Sequence, residues 1–191
     1  MEQDENFKRA VFLDRDGTIN VEKEYLHRPE EFEFIPGVPE AIRLLRTAGF
    51  RVIVVTNQSG VARGYYGEQA VEALHRHLDG ELALHDAGVD AYYFCPHHPV
   101  EGVGEYRTAC DCRKPLPGML VQAARDFGLD LGRSFIVGDK LADVEAGLAA
   151  GCRSILVRTG YGEREAGKVP EGVPVCDDLL AAAKAIVAGR V

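Results

Sequence analysis

The feature that most limits how this chain can fold is a series of short apolar runs that alternate with stretches of helical periodicity. Each run is four residues long and rich in β-branched or aromatic side chains, which is typical of a buried strand. Strand and helix in repetition predict a three-layer, Rossmann-like α/β fold with a parallel sheet covered on both faces. The predicted strands are Ala10–Leu13, Val52–Val55, Ala91–Phe94, Ser134–Val137 and Ser154–Val157.

The stretches between the strands carry helix signals. Ala41, Leu44, Leu45 and Ala48 recur at i, i+3, i+4 and i+7, and Gly49 follows where a helix commonly ends. Similar stripes predict the other helices. These helices span about 68–87, 120–127, 141–150 and 177–188.

Length and charge limit the possible partners. A chain of 191 residues suits one domain, 1–191, and its formal net charge of -8 argues against binding to nucleic acid. A small phosphorylated substrate is still allowed, because a local pocket can be basic. The polar start, Met1–Asn6, has no signal-peptide character, and no apolar run reaches the length of a membrane span. We expect a cytoplasmic monomer without a membrane partner.

Polar motifs follow three of the predicted strands. Asp14–Thr18 follows the first, Thr56–Gly60 the second, and Gly138–Asp143 the fourth. In open parallel sheets, ligands bind beyond the carboxyl ends of the strands, so these motifs predict one shared site.

The residue types of that site suit phosphoryl transfer. If the chain is still extended after the first strand, Asp14 and Asp16 project to one side, with Arg15 opposite. One carboxylate could then act as a nucleophile and the other as an acid–base. Asp139 would add a further oxygen ligand for Mg²⁺, and Lys114 is the candidate cation for the transferring group.

Together, these motifs resemble those of the haloacid dehalogenase-like phosphatases over nearly the whole chain. The resemblance carried by Asp14–Thr18, Thr56, Lys114–Pro115 and Gly138–Asp143 implies a phosphatase without a large cap domain. It implies that Asp14 is the nucleophile, that Asp16 is the acid–base, and that Thr56 and Lys114 hold the phosphoryl group. Mg²⁺ would be bound by Asp14, Asp139 and the backbone oxygen of Asp16. Asp143 could serve either the metal site or Lys114.

A long irregular stretch, Cys95–Pro117, contains three of the five cysteines. A loop of this length usually needs a fastener, and three thiolates with one imidazole make a closed tetrahedral zinc site. Spacing alone does not separate His97 from His98 as the fourth ligand, but the family resemblance selects His97. The predicted Zn²⁺ ligands of this loop insertion, about 95–112, are therefore Cys95, His97, Cys110 and Cys112.

The substrate is the least determined part. Asp14–Asn20, Thr56–Gly64, the cysteine loop and Cys110–Pro115 together closely resemble the corresponding segments of family members that act on a sugar bisphosphate, and this resemblance implies removal of the 7-phosphate of a heptose 1,7-bisphosphate. Histidinol phosphate is the alternative substrate, and a catalytically silent sugar-phosphate-binding protein is an alternative of another class. A nucleic-acid 3′-phosphatase is disfavoured by the charge. The candidate substrate-binding residues are Glu22, Lys23, Glu24, Tyr25, Asn57, Gln58, Ser59, Arg113 and Lys140.

Overall fold

The computed structural model of the protein describes residues 8–191, and the polar first segment lies outside them. Its strands form one six-stranded sheet in which every neighbouring pair is parallel, which confirms the predicted α/β class. All five predicted strands are present, and the short β6 was not predicted. The strands are β1 (Ala10–Leu13), β2 (Arg51–Asn57), β3 (Ala91–Cys95), β4 (Phe135–Gly138), β5 (Arg153–Val157) and β6 (Val175–Cys176).

The predicted helices are also present, and one of them ends earlier than expected. The helices are α1 (Val38–Thr47), α2 (Ser59–Ala62), α3 (Glu68–Ala83), α4 (Gly118–Phe127), α5 (Leu141–Ala150), α6 (Gly162–Glu165) and α7 (Leu179–Val187). The predicted end of α3 near residue 87 is wrong, because Asp86 adopts a positive φ of 52° and the Ala87 N–H donates back to the Leu82 carbonyl. No helix within residues 8–191 is long and apolar enough to cross a membrane.

Alternate strand residues divide the core into two layers. In β1, Val11 and Leu13 pack against residues of α1, α3 and α7, whereas Ala10 and Phe12 pack against residues of α4 and α5. Both sets are fully buried, as expected for a parallel sheet covered on both faces.

The strand order is β3-β2-β1-β4-β5-β6. Strands β2 and β3 are therefore added on one side of β1 and strands β4 to β6 on the other, so the order of the strands reverses between β1 and β4. Leu13, the last residue of β1, lies beside Val137 near the end of β4. Residues that follow β1 and β4 are therefore brought together from more than a hundred positions apart. This reversal is where ligands bind in doubly wound sheets.

Candidate active site

The centre of the site is a buried lysine between two carboxylates. Lys114 Nζ lies 2.8 Å from Asp14 Oδ1 and 2.5 Å from Asp143 Oδ1, and it also donates to the Val55 carbonyl at 2.7 Å. Burial alone would raise the pKa of Asp14, but the positive charges of Lys114 and Lys140 outweigh it and hold that pKa below its ordinary value. Asp14 is therefore ionised at neutral pH, as a nucleophile must be.

Asp143 uses both of its carboxylate oxygens inside the protein. Oδ1 pairs with Lys114, and Oδ2 accepts the Lys140 backbone N–H at 3.0 Å, at the start of α5. Of the two roles that the sequence left open, these contacts favour the one that orients Lys114.

Lys114 is also fixed through its backbone. The Asn57 side chain donates to the Lys114 carbonyl at 2.9 Å and accepts the Lys114 N–H at 3.0 Å. Asn57, predicted as a substrate contact, thus joins the end of β2 to the segment before α4. The sequence offered no signal for this pairing, since the two residues are 57 positions apart.

Asp139, after β4, has one carboxylate oxygen paired and one unpaired. Its Oδ2 accepts the Tyr161 N–H at 2.8 Å, whereas the buried Oδ1 has no hydrogen-bond partner within residues 8–191. Gly17 and Gly160 flank this side chain, and a Cβ on either glycine would collide with it. Burial and then the charge of Asp14 raise the pKa of Asp139 to about 8.

This cluster fits a divalent cation. One carboxylate oxygen each from Asp14, Asp139 and Asp143 lies within 4.8 Å of the others, and Oδ1 of Asp139 is unpaired in the part of the chain that the structure describes. Hard oxygen ligands of this kind suit Mg²⁺. Among the described residues, the side chain of Asp16 is not part of the cluster, and the metal contact through its backbone oxygen stays a prediction.

Asp16 is held by three neighbouring side chains. Arg15 Nη2 donates to Oδ2 at 2.9 Å, Asn20 Nδ2 donates to Oδ1 at 3.0 Å, and Gln58 Nε2 donates to Oδ2 at 3.2 Å. The expectation that Arg15 would point away from Asp16 is wrong, because the chain turns at Gly17 and the long guanidinium side chain returns to its neighbour. Arg15 is almost completely buried.

Thr56 and Gln58 continue the wall of the site from β2. Both are buried, and Gln58 Nε2 donates to Thr56 Oγ1 at 3.0 Å. The Tyr66 hydroxyl in turn donates to Gln58 Oε1 at 3.0 Å. Gln58 therefore connects the predicted phosphoryl-binding Thr56 with the predicted acid–base Asp16.

Two adjoining cavities open onto these groups. The inner cavity, of about 40 Å³, is lined by residues that include Asp14, Thr56 and Lys114. The outer cavity has a volume of about 350 Å³. Residues that line both are Asp16, Asn57 and Lys140. The other predicted substrate-binding residues on the outer cavity are Glu22, Glu24, Tyr25, Gln58, Ser59 and Arg113.

Lys23 is the exception among the predicted substrate-binding residues. Its Nζ donates to the Glu31 carbonyl at 2.8 Å and lies 3.1 Å from the Glu33 carboxylate, so it is drawn away from the cavity. These contacts do not support its assignment as a substrate contact, which stays a prediction.

Several residues that the sequence prediction missed also line the outer cavity. Arg63 lies only three residues beyond the motif Thr56–Gly60, so its position was within reach of sequence reasoning. The others lie on separate segments that carry no local signal. The missed residues are Arg63, Tyr66, His98 and Tyr161.

Lys140 stands where the two cavities meet. Its Nζ is 3.3 Å from Glu22 Oε2 and 4.8 Å from the centre of the Tyr161 ring. Burial alone would lower the pKa of Lys140, but the carboxylates of Asp14, Asp139 and Glu22 outweigh it and raise that pKa. Lys140 is therefore a permanent positive charge beside Asp14.

The predicted zinc ligands lie together at the end of β3. The Cys112 sulfur is 3.1 Å from that of Cys95 and 3.2 Å from that of Cys110, and His97 Nδ1 is 3.5 Å from the Cys112 sulfur. Ligands about 2.3 Å from a tetrahedral zinc would lie roughly 3.8 Å apart, so this donor set fits one such ion. His98 is excluded from the set, because its Nδ1 accepts the backbone N–H groups of Val100 and Glu101.

Arg113 connects the cysteine cluster with the outer cavity. Its Nη1 donates to the His97 carbonyl and to Ser59 Oγ, both at 3.0 Å. The residue that follows the last predicted zinc ligand is thereby fixed between the loop and α2.

Comparison with known families agrees with this geometry. Residues 11–94 match the model described as haloacid dehalogenase-like hydrolase, and residues 111–182 match a second model described as HAD-hydrolase-like. The first match covers the segments that carry Asp14, Asp16 and Thr56. The second covers those that carry Lys114, Asp139 and Asp143.

Curated relatives extend the similarity over most of the chain. The D-glycero-beta-D-manno-heptose-1,7-bisphosphate 7-phosphatase of Escherichia coli K12 is 51% identical over 152 residues, which are 79% of this chain and 80% of that protein. The protein of the same name from Pasteurella multocida is 47% identical over 162 residues, or 84% and 88% of the two chains.

A solved structure is similar over almost the whole length. The D,D-heptose 1,7-bisphosphate phosphatase from B. bronchiseptica, complexed with magnesium and phosphate, superposes with a TM-score of 0.85 at 39% sequence identity. The similarity covers 95% of this chain and 99% of that one.

Proposed function

Because this chain belongs to the haloacid dehalogenase-like phosphatases, which are phosphoric monoester hydrolases, we propose that it removes the 7-phosphate of D-glycero-D-manno-heptose 1,7-bisphosphate. The reaction would pass through an aspartyl-phosphate on Asp14. The observation that carries the proposal is the inner cavity, where an ionised Asp14 faces a fixed Lys114 and belongs to one carboxylate cluster with Asp139. The names of the relatives at 47–51% identity support the substrate.

In the first step, an Asp14 oxygen attacks phosphorus and the bond from phosphorus to the sugar oxygen breaks. Asp16 gives a proton to that leaving oxygen, so the sugar departs as an alcohol. Lys114 and the Thr56 hydroxyl bind the phosphoryl oxygens. Mg²⁺, held by Asp14, Asp139 and the backbone oxygen of Asp16, would supply positive charge to the phosphoryl group.

In the second step, water attacks phosphorus and Asp16 takes the proton that the water loses. The bond from phosphorus to Asp14 breaks, inorganic phosphate leaves, and both aspartates return to their starting protonation states. The hydrogen bonds from Arg15 and Gln58 keep Asp16 beside the reacting centre throughout.

The size of the inner cavity supports cleavage at carbon 7. At about 40 Å³ against about 350 Å³, the inner cavity favours the compact phosphoryl group and the outer cavity favours the sugar. A phosphate on a terminal CH₂ group can extend into the inner space, whereas one attached directly to the ring would bring the ring against its walls. We therefore expect the anomeric phosphate to remain in the outer cavity.

Cationic side chains of the outer cavity support a second phosphate there. Arg113 lines this space, and its planar guanidinium suits phosphate oxygens. Glu22 and Glu24, on the same cavity, are suited to accept hydrogen bonds from sugar hydroxyls.

The remaining assignments follow from the same proposal. We propose that the whole chain, 1–191, forms one domain, that Cys95, His97, Cys110 and Cys112 hold one structural Zn²⁺, and that the enzyme is a cytoplasmic monomer. Its product would feed the synthesis of nucleotide-activated heptose for surface polysaccharides such as lipopolysaccharide.

Substrate comparison tests the proposal directly. Purified protein with Mg²⁺ should release phosphate from heptose 1,7-bisphosphate faster than from histidinol phosphate or from simple sugar monophosphates. ³¹P NMR of the product should show the anomeric phosphate still in place. Faster turnover of histidinol phosphate would assign the enzyme to that substrate, and no release from any substrate would favour a silent binding protein.

Variants of Asp16 test the two-step mechanism. Asp16→Asn should abolish turnover of the sugar bisphosphate, because neither the proton donor nor the base remains. With p-nitrophenyl phosphate, whose leaving group needs no proton, the same variant should form the phosphoenzyme and stop. Sustained turnover of the sugar bisphosphate by Asp16→Asn would contradict the assigned role.

A further inference from the structure

We propose that His75 is a positioning residue that fixes Arg15 by accepting a hydrogen bond from it, and that Arg15 thereby holds Asp16 in its reactive orientation. His75 lies on α3 and is connected to Asp16 through Arg15. The inference rests on the role proposed above for Asp16 as acid–base.

The first observation is how completely the Arg15 guanidinium is used. Arg15 is 1% exposed, so its donors depend on partners within the protein. Nε and Nη2 donate to Asp16, and Nη2 also donates to the Leu26 carbonyl at 3.2 Å. On the remaining nitrogen, Nη1, the hydrogen bond in the structure goes to His75 Nε2, at 3.4 Å.

The second observation is that His75 is suited to accept this hydrogen bond. The side chain is buried, and burial, followed by the charge of Arg15, lowers the pKa of His75 to about 3. A neutral imidazole has one acceptor nitrogen, and the arginine donor identifies it as Nε2. A protonated imidazole would instead set two like charges together in the core.

The third observation is that the imidazole is itself fixed. Its ring stacks on that of Tyr92 with centroids 4.3 Å apart and an interplanar angle of 14°. The Tyr92 hydroxyl donates to Asp79 Oδ1 at 2.6 Å, which joins β3 to α3. A rigid acceptor on one side of Arg15 and Asp16 on the other define the plane of the guanidinium.

Because His75 contacts Arg15 and Arg15 contacts Asp16, a change at His75 should affect proton transfer by Asp16. Loss of the His75 acceptor leaves a buried Arg15 donor without a partner, and the guanidinium must rotate or admit water to satisfy it. Either change moves the edge that binds Asp16. A displacement of about 1 Å in a proton-transferring group can lower a rate about 100-fold.

Two substitutions of His75 separate positioning from packing. His75→Phe keeps a flat ring on Tyr92 but removes the acceptor, whereas His75→Gln offers an amide oxygen near the position of Nε2. We expect His75→Phe to lower kcat for the sugar bisphosphate about 10- to 100-fold with little change in KM, and His75→Gln to retain most of the rate. His77→Phe is the control, since His77 lies on the same helix and contacts Phe32.

Pre-steady-state kinetics with p-nitrophenyl phosphate supply a readout that simple destabilisation would not give. Formation of the phosphoenzyme from this substrate needs Asp14 but no proton from Asp16. The burst of nitrophenolate should therefore keep its rate in His75→Phe while steady-state turnover falls. Arg15→Lys should give the same pattern, and it replaces His75→Phe should the latter fail to fold.

The outcomes are distinguishable. Wild-type turnover in His75→Phe, equal losses in His75→Phe and His75→Gln, or a burst that slows in parallel with turnover would each overturn the positioning role. If wild-type protein does not hydrolyse the sugar bisphosphate, the proposed substrate fails. The burst and turnover on p-nitrophenyl phosphate would still test His75.

Discussion

The strand-end carboxylates and the cysteine loop both gather side chains that could hold a metal ion, but different forces hold them. Asp14 and Asp139 each follow a fully buried strand of the sheet. The loop from Cys95 to Cys112 contains only one short 3₁₀ turn, Gly104–Tyr106, after the end of β3. The packing of the sheet therefore holds the first site in place, whereas the conformation of the loop depends on whether its cysteines and histidine bind a metal ion.

The two sites also differ in what balances the negative charge of their side chains. Lys114 and Lys140 keep Asp14 ionised within the protein, although burial and the charge of Asp14 raise the pKa of Asp139. In the loop, the hydrogen bond to Cys95 and then burial raise the pKa of Cys112, so its thiol stays protonated unless a cation replaces the proton. This difference indicates that a metal ion would take part in catalysis at the first site and would stabilise the loop at the second.

Substitution of the nucleophile should give the largest effect and leave both regions folded. Asp14→Asn removes the attacking oxygen, so we expect kcat to fall by at least about 10⁴-fold with zinc content unchanged. Steady-state kinetics and elemental analysis would measure the two. Asp177→Asn, at an exposed position, is the control. Substantial Mg²⁺-dependent turnover in Asp14→Asn would exclude the covalent mechanism.

Substitution of a predicted zinc ligand should remove the zinc and lower the activity less than Asp14→Asn does. We expect one zinc per wild-type chain and none in Cys110→Ala, with the loop open to protease and the far-ultraviolet circular dichroism of the sheet retained. Activity should fall about 10-fold or more, because Arg113 and Lys114 directly follow the last ligand.

Cys176→Ala provides the matched control, since Cys176 lies in β6 outside the cluster. Full activity in zinc-free Cys110→Ala would contradict the fastening role.

Magnesium should raise the free energy of unfolding, but the strand-end carboxylates should keep their arrangement without it. A ligand present at about 100 times its Kd adds roughly 2.7 kcal/mol to the free energy of unfolding. Thermal unfolding with and without Mg²⁺ should show this increase in wild type and a loss of most of it in Asp139→Asn. If removal of Mg²⁺ made the cysteine loop sensitive to protease, the two regions would not be independent of each other.

Arg113 should give the smallest effect, because it joins the two regions and belongs to neither metal cluster. Arg113→Ala should raise KM for the sugar bisphosphate about 10-fold, equivalent to about 1.4 kcal/mol, and change hydrolysis of a monophosphate less. Arg107→Ala is the control, being an exposed arginine of the same loop. An equal loss on both substrates would show that Arg113 supports the loop without binding the distal phosphate.

The sequence was sufficient to predict elements and motifs whose signals are local. The strand runs, the end of α4 at Phe127 and the bounds of α5 are confirmed. The joining of Asp14 with Asp139 was also predictable, because parallel strands end at one edge of the sheet.

Contacts between distant side chains were not predictable. Lys23 was assigned to the substrate, but its partner is chosen by the local shape of the segment before α1. The pairing of Arg15 with His75 spans 60 positions and depends on how α3 packs. No periodicity in the sequence encodes which buried donor meets which acceptor.

The strand order also determines how copies of this protein could misassemble. An edge strand exposes unpaired backbone groups that can template pairing with another chain. At one edge, β6 is only two residues long, which offers little to a second molecule, whereas β3 at the other edge has five.

The cysteine loop begins at the last residue of β3, so fastening the loop also restrains this edge. Zinc-depleted protein should therefore aggregate through β3 below its unfolding temperature, which light scattering with and without added zinc would detect.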